Sequence, residues 1–257
     1  MTRVILLLTA LAAFLLPLAW TVLAALGMLN GPPTLSHFSD LGVAEPAFWQ
    51  ELATSTASAA CAAALTVSVS FLAAYGLARS HLRAGRLLRQ GFLVLASLPV
   101  MAYVIPLSDV MRRAHLVDTF AGVVLAEAAV TAPLAVFVLH GALAQLSPEW
   151  EEAAVLDGAG LLRVLGRVVF PLVAPSVAAT AIVLFVIDWN MLLVPLVLTS
   201  GEVRTVPVGM MDFFTFEREL DWPTAAAALI VSLAPLALLV AVFHRLLERF
   251  RLDTQIG

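Results

Sequence analysis

The sequence has no lysine, a single cysteine, and little charge of either sign: 12% of its 257 residues are Asp, Glu, Lys or Arg. Soluble domains carry about 25% charged residues and about 45–50% apolar ones, whereas 61% of this chain is hydrophobic and its mean hydropathy is +0.99. A water-facing surface cannot be built from so little charge, so the soluble classes fall away and the chain reads as an integral membrane protein. The missing lysine excludes a Walker A loop, whose Lys reaches the nucleotide phosphates, and Schiff-base chemistry at a lysine amine. Any ATP is therefore expected on another subunit. Cys61 alone allows neither an internal disulfide nor a cysteine metal site, and it reads as a small buried residue in an apolar stretch. All fourteen basic residues are Arg, and a net charge of −4 leaves no basic footprint for nucleic acid. His37, His81, His115, His140 and His244 are scattered, without the His-Glu-x-x-His spacing of a zinc protease, and no Gly-x-Ser-x-Gly elbow is present. No metal is expected.

Long apolar runs fill the rest. A helix needs about 20 mostly apolar residues to cross the hydrocarbon core, and six stretches qualify: 4–29, 52–78, 91–111, 119–145, 174–200 and 224–247. The second is rich in Ala, Ser and Thr, which suits close packing between helices in lipid, so it is expected in the interior. The first run is much longer than the 7–15 residues of a signal-peptide core and is expected to remain as a helix. Pro17, Pro99, Pro106, Pro133, Pro195 and Pro235 fall inside spans, where each removes a backbone donor and tends to kink its helix.

The arginines orient the chain. With both termini cytoplasmic, Arg3, then Arg79, Arg83, Arg86 and Arg89, then Arg163 and Arg167, then Arg245, Arg249 and Arg251 lie inside; only Arg112, Arg113, Arg204 and Arg218 lie outside. The short 79–89 loop carries most weight, because the positive-inside bias is read over short loops.

The connection 146–173 is more than a linker. Ser147 is expected as an N-cap with Pro148 at the first helical position. Glu149, Glu151 and Glu152 follow in the first turn, where they complement the helix dipole. Gly158 and Gly160 are expected to end this helix and allow a sharp turn. A second helix should carry Leu161, Leu165, Val168 and Leu172 on one stripe and Arg163 and Arg167 on another, with Pro171 and Pro175 marking where the next span begins. An amphipathic helix resting on lipid is one reading. Glu149, Glu151, Glu152 and Asp157 would be repelled by an anionic leaflet, however, which favours a protein partner.

The run Glu152–Ala153–Ala154, Asp157–Gly158–Ala159 to Pro171 resembles the "EAA" loop of ABC importer permeases. Further stretches resemble the MalG-like sugar branch of the binding-protein-dependent type I importers: "LAAYGLARS" at Leu72–Ser80, "VIPL" at Val104–Leu107, "DWN" at Asp188–Asn190 and "TVPVGM" at Thr205–Met210. Leu165 stands where the family's loop often has Phe, and Met191 where an acidic residue is common. The resemblance implies an all-α fold with six transmembrane helices and a cytoplasmic coupling loop, forming a single permease domain over 1–257 in a bacterial or archaeal cytoplasmic membrane. It also implies a second permease, an ATPase dimer that holds ATP and Mg, and an extracytoplasmic solute-binding protein reaching the outer loops, including Glu202–Asp221. Glu151, Glu152, Ala153, Ala154, Asp157, Gly158, Ala159, Arg163, Leu165 and Pro171 would then couple to the ATPase. This chain would carry no cofactor and no catalysis.

Glu127 and Asp188 lie inside apolar spans, where a carboxylate costs about 2.5–3.5 kcal/mol on insertion scales. Taken as continuous helices, the spans put Glu127 about 12 Å and Asp188 about 18 Å from their outer ends, so both can face one cavity. Asp188, Trp189 and Asn190 offer carboxylate, aromatic face and amide, the groups that bind polyols. The alternative is that the two carboxylates are structural links between helices. A sugar permease is the leading expectation, a permease for a polyamine or phosphonate the second, and an intramembrane enzyme using the Glu127–Asp188 pair the outsider, for which no motif speaks.

Overall fold

The computed structural model describes residues 2–29, 31–44, 47–80, 83–214 and 222–253. Arg218 with the rest of 215–221, His81, and the side chains of Arg3, Arg83, His244, Arg245, Arg249 and Arg251 lie outside the described residues. The described chain is helical, with no strand: α1 (Thr2–Ala25), α2 (Ser36–Ala44), α3 (Phe48–Ala78), α4 (Arg83–Ser97), α5 (Met101–Arg113), α6 (Phe120–Ala144), α7 (Glu149–Leu156), α8 (Leu161–Val164), a π turn (Leu165–Val169), α9 (Phe170–Trp189), α10 (Leu193–Leu198), α11 (Val206–Gly209), a 3₁₀ turn (Met210–Phe214), α12 (Trp222–Ser232) and α13 (Ala234–Asp253). Among the described residues, four helical runs are long and apolar enough to cross a membrane: Phe48–Ala78, Phe120–Ala144, Leu161–Trp189 and Trp222–Phe243. The bent pair α4–α5, counted as one broken span, brings the number to five.

Two of the expected spans change shape. The run 91–111 is not one straight helix: α4 and α5 meet at 100°. Pro99 lies at the break; it has no N–H to donate, and it pushes Leu98 out of the helical region. The run 174–200 stops at Trp189, and α10 is a separate short helix. At its other end this span starts earlier than expected, because α8, the π turn and α9 form one continuous rod from Leu161. Pro171 and Pro175 therefore lie within helix rather than marking its start. The 30–51 segment, between the first two expected spans, contains α2.

The chain gathers into two compact units, one of residues 1–55 and 204–238, the other of 56–203 and 239–257. In the first, Ala24 and Ala25 of α1, Leu41 of α2, Phe48 of α3, Val206 of α11 and Ala226–Ala228 of α12 share a core. Ser55 accepts a hydrogen bond from the Val206 N–H at 2.7 Å, satisfying a free donor at the start of α11. In the second unit, α3 buries Ser58, Ala59, Ala62, Ala63, Thr66, Ser70 and Ala74, spaced by three and four residues as one helix face requires. Small side chains let α3 approach α6 closely enough for Thr66 and Ser70 to reach the Ala128 and Ala132 carbonyls, each at 3.4 Å. The expectation of an interior second helix holds. Cys61 does not follow it: its side chain is exposed on the opposite face of α3.

Candidate functional site

The connection 146–173 folds as an elbow in the second unit. Ser147 accepts weakly from the Glu149 N–H at 3.4 Å, one residue later than expected, and Pro148 occupies the cap position of α7. Gly158 closes the helix with φ +82°, the left-handed conformation that glycine adopts without cost. Gly160 has φ −74°, so it makes no such demand. The expectation that both glycines shape the turn holds only for Gly158.

The elbow has an inner and an outer side. On the inner side Val164, Leu165, Val169 and Val173 join a core with Phe71, Ala74, Val136, Leu139 and Leu143, against which Ala154 and Ala159 pack. Glu151 also turns inward. Its carboxylate accepts from the Tyr75 hydroxyl at 2.7 Å and from Arg79 through Nε at 2.8 Å and Nη2 at 2.5 Å. Arg79 donates further to the Leu143 and Leu146 carbonyls at 3.4 and 3.2 Å, at the C-terminal end of α6. One guanidinium thus ties together the ends of α3, α6 and the start of α7. Sequence reasoning used Arg79 only for orientation. The signal it missed was Tyr75 and Arg79 one turn apart within "LAAYGLARS", which puts a hydroxyl and a fork of donors on one face.

On the outer side stand Trp150, Glu152, Ala153, Val155, Asp157, Gly158 and Arg163, all exposed, with Leu156 at 88% and Leu162 at 85%. Carboxylates and large apolar groups alternate on this tip, which suits a protein surface better than lipid. The expected stripe of Leu161, Leu165, Val168 and Leu172 is broken: Leu165 is buried, whereas Leu161 and Leu172 are exposed. The cause is the π turn, in which the Phe170 N–H bonds the Leu165 carbonyl five residues back. Pro171 has no N–H to close the ordinary four-residue bond to Arg167, and the extra residue rotates the face. Pro171 itself is exposed.

The buried carboxylates lie in the same unit. Glu127 is 1% exposed and Asp188 3%; they face one another closely enough to interact electrostatically, and Ser58 hydrogen-bonds Glu127. Glu127 Oε2 and both Asp188 carboxylate oxygens complete no hydrogen bond; the Thr131 hydroxyl beside them donates to the Glu127 backbone carbonyl at 3.0 Å. Asp188 sits one residue before the end of α9 rather than deep within a longer helix. Trp189 is buried and stacked on Phe185 at 6.0 Å. Asn190 is exposed, with its amide donating to the Val186 carbonyl at 2.7 Å. Among the described residues no group of three or more His, Cys, Asp and Glu could hold a metal.

Two loop clasps complete the arrangement. Asp118, between α5 and α6, accepts from the Ser200 hydroxyl at 2.7 Å and from the Val203 and Glu202 N–H groups at 3.2 and 3.3 Å. The Ser200 hydrogen bond, helped by the backbone donors, brings the Asp118 pKa from 3.8 down to about 2. In the first unit Arg204 bridges Glu51 at 3.4 Å and Asp212 at 2.7 Å. The Glu51 carboxylate lies directly on the Gly209 backbone, where a Cβ would collide with it. "TVPVGM" is therefore a close-packed corner, and its glycine is required for the approach.

Residues 66–252 match the family described as binding-protein-dependent transport system inner membrane component. The chain belongs to this permease family. Among its relatives, the sulfoquinovosyl glycerol transport system permease protein SmoH of Agrobacterium fabrum is 32% identical over 182 residues, 70% of this chain and 64% of SmoH. A putative ABC transporter permease protein, ORF1, of Streptomyces antibioticus is 35% identical over 215 residues, 83% of this chain and 93% of that protein. The trehalose/maltose transport system permease protein MalG of Thermococcus litoralis is 32% identical over 182 residues, 70% of this chain and 65% of MalG. The matched stretch thus spans just under two thirds of SmoH and of MalG. A bacterial ABC transporter that imports the acidic polysaccharide alginate shares the fold of this permease, with a TM-score of 0.82 over 95% of this chain and 94% of that one, at 18% identity.

Proposed function

We propose that this permease is half of the membrane pathway of an ABC importer for a sugar, paired with a second permease and driven by a separate ATPase dimer. The single observation that carries the reading is the elbow: an exposed tip of Trp150, Glu152, Leu156, Leu162 and Arg163 on a base held by Arg79 and Glu151. The tip docks the ATPase, and the base passes its closure to the helices; each end state is favoured by the ligand that binds it better. Glu151, Leu165, Ala154 and Ala159 serve as the base, and Glu152, Ala153, Asp157, Gly158, Arg163 and Pro171 as the exposed side. The α1 helix, α3, the α4–α5 pair, α6, the Leu161–Trp189 rod and α12–α13 make six spans, with both termini cytoplasmic in a bacterial or archaeal inner membrane. The sugar relatives and the apolar, lysine-free composition support this assignment. Asp188, Trp189, Asn190 and Glu127 are assigned to the solute pathway, of which Asn190 is the exposed member.

The test pairs assembly with uptake. The Leu156→Asp and Leu162→Asp double variant is expected to lose the co-purifying ATPase and binding-protein-dependent uptake together, while its thermal midpoint stays that of wild type. Retention of both would remove the docking claim. The ligand of the co-purified binding protein then names the solute, and a polyamine or phosphonate there would overturn the sugar assignment.

A further inference from the structure

Arg86 and Arg89 lie one turn apart on α4 and line a cleft of about 270 Å³ together with Ser80, Gly85, His140 and Ala144. Among the described residues no carboxylate lines this cleft. Neither arginine has an ion-pair or hydrogen-bond partner among the described residues, in contrast to Arg79, whose fork is filled. His140 is 9% exposed, has Arg89 as its charged neighbour, and makes no hydrogen bond to a described residue. The first turn of α4 holds no acidic side chain, so its free N–H groups add to the positive field. At Gly85 the backbone is bare, and a Cβ would stand 3.1 Å from Ser80 Oγ.

We propose that this cleft binds a phosphate group, and that its source is the headgroup of an anionic membrane phospholipid. A guanidinium pairs with phosphate through two parallel hydrogen bonds, and two of them with an enclosed imidazole supply donors around a tetrahedral anion. The sequence of α4 fixes the depth. Arg86 and Arg89 precede the apolar run 92–95, of which Leu93, two turns from Arg86 on the same face of α4, is exposed. The cleft therefore stands where polar gives way to apolar, with a greasy track for an acyl chain beneath it. Basic pockets between membrane helices recognise headgroups in this way.

The permease, purified from its native membrane with its partners, is placed in phosphatidylcholine nanodiscs with and without phosphatidylglycerol. Modification by phenylglyoxal is then read by peptide mass spectrometry. Arg86 and Arg89 are expected to react several-fold more slowly with phosphatidylglycerol present than in phosphatidylcholine alone. Native mass spectrometry should show bound phosphatidylglycerol falling about tenfold in the Arg86→Gln/Arg89→Gln variant. Inorganic phosphate added to the phosphatidylcholine discs separates the sources. Failure to protect the pair supports the lipid; protection equal to that by phosphatidylglycerol overturns the lipid and leaves a soluble phosphate. If Arg86 and Arg89 react equally fast in all three conditions, the site does not exist. The chemical-modification arm uses wild-type protein, so a variant that failed to assemble would not rescue the proposal.

Discussion

Removing the Arg79 guanidinium takes a donor from three groups at once: the Glu151 carboxylate, whose side chain is 12% exposed and which keeps only Tyr75, and the Leu143 and Leu146 carbonyls. Hydrogen bonds to charged groups contribute about 1.5–3 kcal/mol, so Arg79→Met should lower stability by about 2 kcal/mol. Thermal unfolding followed by tryptophan fluorescence measures it. Arg79→Lys should recover only part, because an ammonium cannot reproduce the fork. The elbow glycines make a sharper contrast. A side chain at Gly158 meets no neighbour, so Gly158→Ala loses only backbone freedom at φ +82°, about 1–2 kcal/mol; Gly160→Ala is expected to be neutral in the same assay. Gly209→Ala acts through space instead, driving a Cβ into Glu51, and overpacking of this kind costs about 1–3 kcal/mol. Asp118 supplies a pH signature. Its folded pKa lies below its ordinary value, so its contribution is whole above pH 3.8 and fades as pH falls towards about 2. The gap in thermal midpoint between wild type and Asp118→Asn should therefore be constant above that range and narrow below it.

At the scale of the element, the π turn decides which side chains of the elbow face inward. Gly166 is exposed there and has open space around it. Deleting it should convert the five-residue bond into the ordinary four-residue one while both flanks keep their faces, and circular dichroism with thermal unfolding should change little. Deleting Ala179 from the middle of α9 instead rotates one half of the rod by about 100° and should prevent folding. The long apolar runs and the small-residue face of α3 were legible because hydropathy and spacing encode them directly. The α4–α5 bend, the end of α9 at Trp189 and the π turn were not. Each depends on where a proline's missing N–H or a local cap falls, and Pro17, Pro106, Pro133 and Pro175 sit inside helices that continue through them. The same limit explains the mixed outcome at the elbow. Its acidic start and Gly158 turn could be read from the residues, whereas the inward swing of Glu151 required knowing that α3 ends beside α7.

For the molecule as a whole, two carboxylates enclosed in an apolar bundle with three oxygen atoms unbonded are a standing cost. The double replacement Glu127→Gln with Asp188→Asn keeps the shapes and removes the ionisable groups, so the thermal midpoint is expected to stay or rise. A loss of stability would assign the pair a structural bond. The rod from Leu161 to Trp189 runs through 29 residues, about 43 Å at the helical rise, with the exposed tip at one end and Asp188, Trp189 and Asn190 at the other. A rigid body of that length is a lever. Tilting it by about 5° about its elbow end sweeps the far end through about 4 Å at that helical length, more than the diameter of a water molecule, without breaking a hydrogen bond inside the rod.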